Sequence, residues 1–181
     1  LNQFKAQNNN FINCQVIHTG VDTNYFRPSK TKHISSSLKL VCLSEFEERK
    51  GIQYLIKAFP YLLQHIDVNL TIIGSGKCKT LYESLINNLK LQDCIHVKGP
   101  VRNTKVSLHN ADIYCLLSSG EGFPIGLLEA MSCGLPVITS NYPPFDEINE
   151  KVIQRVNRRD ISDIVTAVKK LNDNKIYKTY S

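Results

Sequence analysis

Residues 118–140 read SSGEGFPIGLLEAMSCGLPVITS. An apolar run from Asp112 to Leu117 leads into this stretch and another, Leu135 to Thr139, closes it. The order is therefore strand, loop, helix, strand. That unit belongs to parallel α/β sheets, whose ligands sit at the loops following the strands. Gly120 and Gly122 tolerate dihedrals closed to other residues and let a ligand approach the backbone. Pro124 has its φ preset for a first helical turn, so a helix is expected to begin near it. The backbone around Gly122, Phe123, Pro124, Ile125 and Gly126 then faces the loop with the positive end of the helix dipole, which suits a phosphate or diphosphate.

Two glutamates, Glu121 and Glu129, stand in this window with seven residues between them. Carboxylates repel phosphate, so their partners must be of another kind. One precedes the expected helix and the other lies in its second turn, so both are placed to accept hydrogen bonds from hydroxyls on either side of a diphosphate. A nucleotide sugar carries such hydroxyls on its ribose and on its hexose.

Outward from this window the chain alternates. LKLVCLS (38–44), VNLTIIG (68–74), CIHVKG (94–99), DIYCLLS (112–118), LPVITS (135–140) and VIQRV (152–156) read as strands. Between them, 51–66 has apolar residues at helical spacing, interrupted by Pro60. A second helix, 78–91, is expected to bury Leu81, Leu85, Ile86 and Leu89. VRNTKVSLHNA (101–111) is a short helix, and ISDIVTAVKKLN (161–172) a final one. Such alternation demands right-handed crossovers and a parallel sheet covered on both faces. The expected fold is α/β, a Rossmann-like doubly wound sheet spanning 14–181, and the polar residues 1–13 read as a linker or frayed end.

Ligand loops are then expected at 44–51, 74–77, 99–102, 118–126 and 140–147, all on one edge. Lys50 follows the first strand and precedes a helix, within reach of a diphosphate whose negative charge grows as it leaves. Arg49 beside it is a further candidate. GSGK at 74–77 offers Gly74 and Gly76 but lacks the spacing of a Walker loop or of GxGxxG, and a plain strand-to-helix turn explains it equally.

The segment EGFPIGLLEAMSCGLPVI resembles the C-terminal domain of GT-B glycosyltransferases of the retaining family 4 type. The resemblance implies that Glu121 contacts the donor sugar and Glu129 the ribose of a nucleoside-diphosphate sugar, of UDP or GDP type. It further implies that Lys50 grips the diphosphate, that Gly74 and Gly76 face the nucleotide, and that the backbone from Val97 to Val101 meets the base. Two positions depart from the family pattern. An arginine is expected five residues before Lys50, where this chain has Glu45, and a glycine where it has Ser44. Residues 14–28 resemble the family's domain boundary, with Thr19 where asparagine is usual.

By resemblance the donor half transfers a hexose, with retention and without a metal or other cofactor, to a saccharide or lipid-linked acceptor held by an N-terminal domain outside these 181 residues. Double displacement needs a carboxylate nucleophile, and no residue here can be named for it, so same-face attack assisted by the leaving phosphate is expected. Glu45 keeps a second reading open, a non-catalytic nucleotide-sugar-binding subunit or degenerate domain. An epimerase or phosphorylase of the same architecture is disfavoured by the intact glutamate segment.

Bulk properties bound these readings. The chain is one ordinary domain by length, with a net charge of +6 that suits an anionic ligand. Basic residues are spread out, and the local cluster RVNRRD (155–160) reads as a solvated loop, so nucleic acid is not expected. Peripheral contact with an anionic membrane remains compatible with the charge. Six scattered cysteines without CxxC spacing point to a reducing, cytoplasmic compartment, and five histidines without ligand spacing give no metal site.

Overall fold

A computed structural model describes residues 19–29, 36–122, 124–141 and 153–173. The expected linker 1–13, Phe123 and most of the 140–147 loop lie outside the described residues. Six strands form one sheet: β1 (Leu38–Leu43), β2 (Val68–Ile73), β3 (Ile95–Lys98), β4 (Ile113–Leu116), β5 (Val137–Ser140) and β6 (Ile153–Val156). Their order is β3-β2-β1-β4-β5-β6, with every pairing parallel. The order reverses between β1 and β4, which is where a doubly wound sheet opens its ligand crevice. The helices are α1 (Ile52–Leu62), α2 (Lys79–Asn88), α3 (Thr104–His109), α4 (Ile125–Ser132) and α5 (Ile161–Asp173), and a 3-10 turn covers Glu48–Lys50.

Strand periodicity divides the core. Leu40, Cys42, Leu70, Ile72, Ile113, Cys115 and Ile138 face one side, under α1, α2 and α5. Val41, Ile73, Tyr114, Leu116 and Val137 face the other, under α3 and α4, where Phe26 also packs. Each fully buried Leu or Ile removed from water contributes roughly 1.5–3 kcal/mol. Cys42 sits so deep that burial pushes its thiol up to about 12, which fits a small core hydrophobe.

Three expectations shift. The first helix ends at Leu62 instead of Ile66, and Pro60, which has no N–H to give the carbonyl four residues back, lies in its last turn. Along α2 the buried stripe is Tyr82 and Ile86, continued by Cys78 just before the helix, while Leu81 and Leu89 are 46% and 37% exposed. The Tyr82 ring sets that face: it meets Phe46 edge-on at 5.6 Å and donates its hydroxyl to the Glu47 carbonyl at 3.0 Å. Pro124 lies outside its helix, at φ −83° and ψ 84°, so α4 begins at Ile125.

Candidate functional site

The loop after β1 delivers two cations to the crevice. Glu48 to Lys50 form a single tight turn, stopped by Gly51 at φ 72°. A Cβ on Gly51 would lie 2.1 Å from the Leu117 carbonyl, so only glycine lets this turn seat against the end of β4. That seating carries Lys50 to Glu121. Its ammonium lies 2.7 Å from Oε1, with both side chains almost buried at 10% and 12% exposure. The Coulomb attraction within a pair this well shielded exceeds that of a surface ion pair, and desolvation of the two ions offsets much of it.

Arg49 closes over the same loop from outside. It donates Nη1–H to the Gly120 carbonyl at 2.6 Å, Nε–H to Glu47 at 2.6 Å and Nη2–H to Glu45 at 3.4 Å. Its Nη1 is 4.0 Å from Glu121 Oε2. The hydrogen bond from Arg49 holds the Glu47 carboxyl below the usual range, and the same bond raises the guanidinium. Ser119 donates its amide to the Arg49 carbonyl at 2.8 Å, and Ser118 its hydroxyl to the Gly120 carbonyl at 3.0 Å. The loops after β1 and β4 therefore form one hydrogen-bonded unit.

Glu129 stands apart from that cluster, in the second turn of α4. It accepts a hydrogen bond from Thr104 Oγ1 at 3.4 Å, and burial raises its carboxyl above the ordinary range against the lowering effect of that bond. Ile125 and Gly126 supply the first amides of α4, which have no carbonyl one turn back. Gly126 leaves space that a Cβ would take 2.9 Å from the Tyr114 hydroxyl, and Tyr114 in turn donates to the Leu43 carbonyl at 3.2 Å.

Gly74 and Gly76 are held by packing. Their φ values are 154° and 149°, and a Cβ on Gly74 would fall 1.9 Å from the Ser44 carbonyl. The loop after β2 is thereby clasped to the loop after β1, with Phe46 donating to the Ser75 carbonyl at 2.7 Å and Cys78 to the Phe46 carbonyl at 2.9 Å. Val97 packs its half-buried side chain against the first core. A cleft of about 270 Å³ opens between the ends of β1 and β2 and the Pro100–Thr104 segment. A second cleft, of about 440 Å³, lies over the ends of β4, β5 and β6.

Thr104, Tyr114 and Arg158 belong to this edge without having been singled out in the sequence. Nothing in VRNTKVSLHNA marks Thr104, because its partner Glu129 is 25 residues away. Arg158 sits in the cluster that reads as a solvated loop. It instead donates Nη1–H to the Arg49 carbonyl at 3.0 Å and lies 5.4 Å from the Tyr54 ring centroid. Among the described residues no group of His, Cys, Asp and Glu side chains is arranged to hold a metal ion, and no helix is long and apolar enough to cross a membrane.

A family model described as "Glycosyl transferases group 1" matches residues 26–180. The putative colanic acid biosynthesis glycosyltransferase WcaL of Escherichia coli is 29% identical over 144 residues, 75% of this chain but only 36% of that protein. In solved structures, the C-terminal domain of a glycosyl transferase group 1 family protein (LpcC) from Francisella tularensis superposes with a TM-score of 0.77 at 22% identity, covering 87% of this chain and 91% of that one. Anabaena HepE, solved in complex with UDP and glucose, gives 0.80 at 18% identity, covering 92% of this chain and 49% of that one. Both superpositions carry the same α/β architecture, which is half of a GT-B arrangement.

Proposed function

We propose that this chain, which belongs to the group 1 glycosyl transferase family, is the donor-binding half of a retaining glycosyltransferase that moves a hexose from a nucleoside-diphosphate sugar to a saccharide or lipid-linked acceptor. The observation that carries the reading is the buried Lys50–Glu121 pair beside the N-terminus of α4, at the point where strand order reverses. One anion-binding edge and one hydroxyl-accepting carboxylate stand side by side there. Glu129 supplies the second carboxylate farther along α4, where it would take the ribose hydroxyls. The amides of Ile125 and Gly126, with Lys50, hold the diphosphate and stabilise charge as the bond from its oxygen to the anomeric carbon breaks. In the same-face reaction the acceptor oxygen bonds to that carbon while the departing phosphate takes its proton. The names of the relatives support a role in polysaccharide synthesis, and the UDP bound by HepE supports a uridine or similar nucleotide.

The chain spans about a third of WcaL, so the complete acceptor site and turnover belong to a longer protein in this reading. Calorimetry with UDP and GDP on this chain and on Glu129→Ala tests the donor assignment. Binding of one nucleotide that weakens at least tenfold in the variant is expected, and equal affinity in both proteins would sink the ribose role. The chain alone is expected to bind nucleotide without transferring sugar at a useful rate.

A second reading, a nucleotide-sugar-binding unit without turnover, is favoured by one observation: Glu45 replaces a cation and lies 3.4 Å from Arg49. Sugar transfer by the longer protein with its acceptor domain separates the two.

A further inference from the structure

We propose that the cleft over the ends of β4, β5 and β6 is an anion subsite for a phosphoryl group carried by the acceptor. The proposal rests on the donor reading, because it takes Glu121 as the sugar end of the donor. Along the carboxyl edge the strands run β3, β2, β1, β4, β5, β6. The smaller cleft lies at the β3-β2-β1 end and reaches Glu129 through Thr104, while Glu121 stands just beyond β4. A donor laid with its nucleoside over the first cleft and its sugar at Glu121 ends where the second cleft begins. Ser118 and Ser119 line that cleft three and two residues before Glu121.

The chemistry of its walls selects the ligand. Arg158 and Arg159 project from the loop after β6, Asn141 and Asn157 line the cleft with them, and among the described residues no carboxylate does. The contrast with Arg49 is direct: Glu45, Glu47 and Glu121 all lie within 4.0 Å of that guanidinium. Among the described residues neither Arg158 nor Arg159 has a carboxylate at that range. Arg158 uses one N–H on the Arg49 carbonyl and lays its plane near Tyr54, which fixes the remaining donors in place. The floor hydroxyls of Ser118 and Ser140 already donate to the carbonyls of Gly120 and Ser118. The described walls thus hold two guanidinium groups, that of Arg158 fixed by its contacts, and no carboxylate. A ligand suited to them brings the negative oxygens, and two guanidinium forks match a phosphoryl group. A saccharide phosphate and a lipid-borne phosphate present the same chemistry to these arginines.

The test titrates the chain, saturated with UDP, with glucose 1-phosphate and separately with phosphatidic acid vesicles against phosphatidylcholine vesicles. Amide NMR shifts follow the soluble ligand and co-sedimentation follows the vesicles. The expected result is a perturbation of residues 118–119 and 156–159, with affinity falling about tenfold or more in Arg159→Gln. UDP affinity should stay within about twofold. Arg159-dependent binding of glucose 1-phosphate supports a saccharide phosphate, and Arg159-dependent binding of phosphatidic acid vesicles supports a lipid source. Phosphate binding that ignores Arg159→Gln, or that competes with UDP, overturns the subsite. If UDP fails to bind while the Arg159-dependent phosphate site persists, the donor reading falls and takes the acceptor assignment with it, leaving an anion site of another purpose.

Discussion

Removing Glu121 should destabilise the fold through Lys50. The ammonium is 9% exposed by residue, and Glu121 at 2.7 Å is the only carboxylate within 4.0 Å of it among the described residues. The gross attraction at that distance is on the order of 6 kcal/mol for an effective dielectric near 20. Desolvation of both ions offsets much of it, so the intact pair adds little net stability over an apolar pair of similar size. A lone buried ammonium is different, because its desolvation is uncompensated. Glu121→Ala is therefore expected to lose about 3 kcal/mol, and Lys50→Met less, because Glu121 keeps Arg49 at 4.0 Å. The double variant Lys50→Met/Glu121→Ala should recover much of the loss, a coupling on the order of 1–3 kcal/mol. Urea unfolding followed by circular dichroism measures all four proteins. With an m-value near 2 kcal/mol/M, Glu121→Ala moves the midpoint down by about 1.5 M. Additive losses in the double variant, or a Glu121→Ala shift under about 0.3 M, would refute the argument.

Gly74→Ala should cost at least about 3 kcal/mol, since φ is 154° and the new Cβ meets the Ser44 carbonyl at 1.9 Å, whereas Gly120→Ala, with nothing within 4 Å, should stay within about 0.5 kcal/mol; thermal melts of the two variants decide it. Glu129 has a raised pKa, so the native state holds its proton to higher pH than the unfolded chain does, and its contribution to stability falls as pH rises through the window above the ordinary carboxylate range. UDP binding should move the other way, strengthening as Glu129 ionises, and Glu129→Gln should lose that segment of the affinity profile measured by calorimetry. Glu45→Arg should tighten UDP binding by about threefold to tenfold, through one added cation at the diphosphate; unchanged affinity would place position 45 outside the site.

The alternation of strands and helices was legible because each apolar run was short and bounded, and periodicity says which face is buried. Its limit shows in α2. Leu81 and Leu89 looked like core because leucine is apolar, yet Tyr82, with a polar tip, won the inward position through Phe46. The glutamate window was legible for a related reason: loop, cap and helix lie within nine residues of one another. What the sequence could not show were contacts across long separations. Lys50 and Glu121 are 71 residues apart, Thr104 and Glu129 are 25, and Arg158 and Arg49 are 109. Only the parallel sheet, by aligning the carboxyl ends of β1, β4 and β6, makes neighbours of them. The glycines of GSGK were ambiguous in sequence because a loop clasp and a phosphate cradle both require a residue without Cβ.

The departure at position 45 acquires a physical meaning from Arg49. A carboxylate there would be damaging if it faced the diphosphate with no cation near it. Instead the guanidinium of Arg49 reaches the same loop from four residues later, bonded to Gly120 and 4.0 Å from Glu121. Glu45 meets it at 3.4 Å with a side chain that is 69% exposed, a contact worth about 0–1 kcal/mol. Glu47, at 2.6 Å from Nε, is the firmer partner. In the donor reading, an arriving diphosphate displaces only the weaker of these two carboxylates from Arg49 while Lys50 remains on Glu121. The cation that the family resemblance leads one to expect at position 45 is, in the donor reading, replaced in charge by Arg49, though held less firmly. The expected consequence is a donor site of reduced affinity rather than an abolished one.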